Sequence, residues 1–109
     1  MRSGVYIMKN QNTPKIAVIG FGEAGSSLCK GWGLSDVRAF DIKQHGDALL
    51  AAEKVAQMSA AGVIIGDDAA DIANGADIIF STVTADQAYV AASAVAKAIK
   101  PGAYYLDLN

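Results

Sequence analysis

Gly20, Gly22 and Gly25 carry the clearest chemical spacing in this chain, within the stretch KIAVIGFGEAGSSL from Lys15 to Leu28. An apolar run ends at the first glycine and a helical pattern opens after the second. That is the context in which G-x-G-x-x-G holds a pyrophosphate. Each glycine has its own reason. Gly20 permits a tight turn, Gly22 leaves the path of the phosphates free of a side chain, and Gly25 lets the helix lie close to the strand. Amides of the first helical turn then face the anion at the positive end of the helix dipole. Glu23 suits that dipole as a first-turn carboxylate, and its amide can serve while its side chain points away.

Glycines alone also describe a turn that binds nothing. Asp41 separates the two readings: it closes the next apolar strand roughly 20 residues after Gly20, where an acidic group accepts from the adenosine ribose hydroxyls. A helix cap or a solvated strand end is the other role open to it. Strand, glycines, helix, strand and acid together imply a dinucleotide. A 2′-phosphate would meet the Asp41 carboxylate at close range, so the pattern favours NAD over NADP. Lys43 is either an ordinary surface lysine or the charge that would offset such a phosphate.

Other chemically capable side chains read as bland. His45, the only histidine, follows the second strand on the adenosine side and fits a surface loop. Cys29, the only cysteine, lies one residue after the expected core-facing Leu28 and reads as a packing thiol. Asp67 and Asp68 precede a short helical run and look like caps. No Cys/His spacing suits zinc and no acidic spacing suits a calcium loop. Of Tyr104 and Tyr105, one should face the core.

The elements that must position these residues alternate between short β-rich and longer helical runs. Strands are expected at Ile16–Gly20, Val37–Asp41, Val63–Gly66, Asp77–Val83 and Ala103–Leu108. Helices are expected at Glu23–Trp32, Asp47–Ala61, Asp68–Asn74 and Ala85–Lys100. Such alternation predicts an α/β, Rossmann-type parallel sheet of about five strands in the order 3-2-1-4-5, with helices on both faces. Continuous apolarity in IAVI and DIIF fits strands buried on both sides. Thr84 and Gln87 have capping-box spacing, Pro101-Gly102 stops the last helix, and Val95 with Ile99 gives it an inward face. Leu28 and Trp32 do the same for the first helix, whose end Gly31 and Gly33 weaken. Residues 1–14 read as a loose polar lead-in, with Met8 a second candidate start, and residues 15–109 as one dinucleotide-binding domain.

Bulk properties bound the rest. With 109 residues, 52% hydrophobic and 18% charged, the chain can build a packed core. Net charge is −2 with scattered Lys and Arg, which argues against nucleic acid and anionic membranes. Apolar runs are too short to span a bilayer, no signal peptide is evident, and one cysteine fits a reducing, cytoplasmic setting.

Beyond the turn, STVTADQA after the fourth strand and PGAYYLDLN at the end, with IAVIGFGEAGSSL and DVRAFDIK, resemble the cofactor domain of 6-phosphogluconate and β-hydroxyacid dehydrogenases. The resemblance runs from Lys15 to Asn109 and is strongest for the branch whose fifth strand ends in D-L-N. It implies an oxidoreductase that moves hydride between a small hydroxyacid and a nicotinamide. It further implies that Phe21, Glu23 and Ala24 line the pyrophosphate turn, that Asp41 takes the ribose, and that Val83 and Thr84 border the cofactor. The family's serine-bearing substrate segment and its helical domain with a catalytic lysine would follow Asn109, so this chain by itself is expected to bind without turning over. A free-standing NAD-sensing module, like the ligand domains of ion-channel regulators, and an arogenate or prephenate dehydrogenase cofactor domain are the other readings. An S-adenosylmethionine site fits the full glycine spacing less well. The fifth strand, left as an edge, is expected to promote a homodimer.

Overall fold

A computed structural model describes residues 13–32 and 36–108. Most of the lead-in, Gly33 and the side chain of Trp32 lie outside the described residues. The elements are β1 (Ile16–Ile19), α1 (Glu23–Trp32), β2 (Val37–Phe40), a single 3-10 turn (Ile42–His45), α2 (Ala48–Ala61), β3 (Ile64–Ile65), α3 (Ala69–Ala73), β4 (Ile78–Ser81), α4 (Ala85–Ala96) and β5 (Tyr104–Asp107).

Five strands form one sheet in the order β3-β2-β1-β4-β5, all parallel. This is the expected Rossmann-type order. β1 is central: Ile19 pairs with Phe40 of β2 on one side and Ser81 of β4 on the other. All four residues of β1 are buried, as the continuous apolar run IAVI predicts. Alternation splits them between two cores. Ala17 and Ile19 join Phe40 and Ile79 beneath Ile72 of α3 and Val95 of α4. Ile16 and Val18 join Val37 and Ala39 beneath Met58 of α2, with Cys29 of α1 packed alongside. Helices therefore cover both faces.

Several boundaries differ from expectation for local reasons. β3 is only two residues long, although Gly66 just beyond it still donates its N–H to the Ala39 carbonyl of β2. α4 stops at Ala96, yet Ile99 still donates back to Val95 and packs on the core, so the inward face persists past the helix. Thr84 does cap α4 by position, but the expected capping box is absent. Its hydroxyl donates instead to the Asp86 carboxylate at 2.6 Å. The Asp86 carboxylate is a charged acceptor within reach, and the side-chain rotamer that meets it leaves Thr84 without a bond to the backbone of α4. Leu28 is another correction: it lines an open groove with Ala24, Ser27, Gly31 and Leu108, while its neighbour Cys29 faces the core. Tyr105 packs inward and Tyr104 is 69% exposed, settling which tyrosine enters the core.

Candidate functional site

The glycine turn sits where β1 ends, between β2 and β4. Strand order reverses there, and an open parallel sheet has its crevice at that point. Each glycine occupies a different environment. Gly20 has φ +93°, a left-handed conformation, and a Cβ there would lie 3.0 Å from Thr82 Oγ1. A Cβ on Gly25 would lie 2.1 Å from the Gly20 carbonyl oxygen, so only glycine lets α1 approach β1 this closely. A Cβ on Gly22 would meet nothing within 4 Å. Nothing in the protein's own packing therefore demands glycine at position 22.

The backbone around that opening is pinned. Gly20 N–H donates to the Phe40 carbonyl at 2.7 Å, and Thr82 Oγ1 donates to the Gly20 carbonyl at 2.8 Å. Phe21 N–H donates to Asp41 Oδ2 at 2.7 Å, and the Phe21 carbonyl accepts from Lys54 Nζ at 2.8 Å. Phe21 itself is buried in the core shared with Met58. Its ring anchors the turn from below, and both of its backbone polar groups are bonded within the protein. Glu23 and Ala24 open α1 and are exposed.

Asp41 is buried at 8% exposure. Besides Phe21, it accepts from Lys43 N–H through Oδ1 at 2.9 Å, capping the 3-10 turn. Gln44 completes a capping box by accepting from Asp41 N–H, and its side-chain amide donates to the Gly66 carbonyl. The cap and ribose roles weighed for Asp41 are therefore not exclusive: each carboxylate oxygen offers two lone pairs, and one on each is taken. Lys43 is exposed beside it. His45, also exposed, bonds the Asp67 carbonyl through Nε2 at 2.7 Å and packs against the Phe40 ring.

At the other wall, Val83 packs against the core below α4 and Thr84 is exposed at the helix start. The Asp86 carboxyl is held below its ordinary range first by the Thr84 hydroxyl. Cys29 is half-buried, and burial pushes its thiol up, consistent with packing rather than nucleophilic use. Asp68 caps α3, accepting from Asp71 N–H, whereas Asp67 enters only through its backbone, donating to Asp71 Oδ2.

Thr82, Gln44 and Lys54 were not apparent from sequence. All three hold the site's backbone from a distance in the chain. The only signal for Lys54 is that it lies one helical turn before buried Met58, which puts a lysine on an inward face.

Residues 15–108 match the family described as "NADP oxidoreductase coenzyme F420-dependent". Among solved structures, a conserved hypothetical protein from Sinorhizobium meliloti 1021 is 32% identical over 91% of this chain and 34% of its own, with a TM-score of 0.79. The fold is shared with Mycobacterium tuberculosis 3-hydroxyisobutyrate dehydrogenase, 23% identical over 87% of this chain and 31% of that one, TM-score 0.69. It is shared also with a Myxococcus stipitatus imine reductase variant solved in complex with NAD+, 19% identical over 89% and 32%, TM-score 0.64. The chain thus spans about a third of the length of these structures. No curated protein matches it. The sheet order, the pinned glycine turn and a match over nearly the whole sequence lead to one conclusion: the chain belongs to the F420-dependent NADP oxidoreductase family, as an NAD(P)-binding Rossmann domain.

Proposed function

We propose that this chain binds NAD, with its pyrophosphate against Gly22 and the first turn of α1 and its adenosine ribose on Asp41. The observation that carries the proposal is the emptiness around the Gly22 Cβ position, in a turn whose neighbouring backbone groups are all held elsewhere. Phe21 shapes the turn from the core, Glu23 and Ala24 contribute amides, and Gly20 and Gly25 set the backbone path. Val83 and Thr84, at the carboxyl end of β4, border the nicotinamide side. A nicotinamide bound there would supply the hydride acceptor or donor. This chain would hold and orient it, the part played by the cofactor domain of a dehydrogenase or reductase.

The choice of NAD over NADP rests on Asp41. Its buried carboxylate would face a 2′-phosphate at short range, a repulsion that desolvation strengthens. The family description names NADP, and exposed Lys43, two residues after Asp41, is a cation suited to that phosphate. Calorimetric titration with NADH and NADPH decides between the two. The proposal predicts that NADH binds at least about tenfold more tightly and that Asp41→Ala loses most of that preference. Equal and negligible heats for both nucleotides would end it.

A further inference from the structure

Lys54 has no part in the reading above, yet it is as buried as Asp41, at 8% exposure, and ends on the main chain of the cofactor turn. Its ammonium donates to the Phe21 carbonyl, 33 residues away in sequence. Asp41 takes the Phe21 N–H from the other side. These opposite charges do not form a direct ion pair among the described residues. Each holds one end of the same residue. Burying an ammonium is costly unless it makes a strong, well-placed bond, so a lysine here calls for a reason beyond filling space.

The reason follows from peptide geometry. The Phe21–Gly22 peptide is trans and planar, so its carbonyl and its N–H point in opposite directions. Lys54 fixes the carbonyl inward. The Gly22 N–H must then point the opposite way, away from Lys54. No acceptor holds that N–H among the described residues. An ammonium at 2.8 Å from the carbonyl also draws electron density toward itself and makes the opposite N–H a better donor.

We infer that Lys54 is a positioning residue for dinucleotide binding: it aims and polarises the Gly22 amide toward the pyrophosphate. The inference rests on the dinucleotide reading, and it adds a fixed positive charge behind the turn that the glycine motif does not supply.

Two measurements on the full chain test it. In the wild-type protein, titration with ADP-ribose followed by amide nitrogen and proton shifts should move Gly22 strongly and Phe21 little, since the Phe21 N–H stays on Asp41. A large Phe21 response with a silent Gly22 overturns the inference, whatever happens to variants. Lys54→Met keeps an unbranched apolar stem and removes the ammonium. It should weaken NADH binding about tenfold and abolish the Gly22 response, with Lys54→Arg recovering part of both. Folded Lys54→Met that binds NADH like wild type, with the same Gly22 shift, overturns the inference alone. Wild-type protein that binds neither NADH nor ADP-ribose overturns the dinucleotide reading and this inference with it.

Discussion

Gly22 and Gly25 look alike in sequence and are opposites in space. At Gly25 an added methyl group would run into the Gly20 carbonyl at 2.1 Å, and backbone must move. At Gly22 it would touch nothing within 4 Å. Gly25→Ala is therefore expected to destabilise the fold by about 3 kcal/mol, the upper end for overpacking, because the obstacle is main chain. Gly22→Ala should leave the urea midpoint almost unchanged. Equal loss of stability in both variants would contradict these assignments. The separate jobs of the glycines were legible in sequence, because tight turn, close packing and open approach are demands on a missing side chain. Thr82, Gln44 and Lys54 were not, since each reaches a backbone carbonyl brought near only by folding.

Element ends were read less well than element identities, and caps show why. Asp41-Ile-Lys-Gln44 and Thr84-Ala-Asp-Gln87 share one spacing. Only the first closes as a capping box. Asp41 is a carboxylate that accepts alone, whereas the Thr84 hydroxyl can donate and finds Asp86 two residues on. The sheet was legible because IAVI and IIF are continuously apolar and alternate with longer helical runs. The 3-10 turn after β2 was not, being too short to show a period. Asp77 illustrates how element ends are tied. It accepts from Lys15 N–H at the start of β1 and pairs with Lys100 before β5. Lys100 first, and then the Lys15 N–H, hold its carboxyl below the usual value of 3.8. Its folded pKa is depressed, so the stabilisation is present above the unfolded value and disappears as pH falls through the folded one. Asp77→Asn should flatten the loss of stability between about pH 5 and about pH 2, most visibly at low salt. Urea midpoints against pH check this, and an unchanged acid limb would refute it.

The described residues form a two-faced sheet whose carboxyl edge brings the glycine turn into bonding contact with Asp41 after β2 and Thr82 after β4. Among the described residues no helix is long and apolar enough to cross a membrane. β5 is the outer strand beyond β4, and Tyr104, Leu106 and Leu108 are exposed along it. An apolar outer strand invites pairing, and the homodimer proposed for this chain would use that edge. Light scattering should find association that rises with concentration and weakens on Leu106→Lys; a monomer at high concentration would dismiss it. The central claim is that the opening at Gly22 belongs to a dinucleotide. Its most direct test is a crystal structure of the chain grown with NAD. The account predicts phosphate oxygens within hydrogen-bonding distance of the Gly22, Glu23 or Ala24 amides and a ribose hydroxyl on Asp41. A nucleotide bound elsewhere, or a crevice filled by the protein's own side chains at saturating NAD, would contradict it.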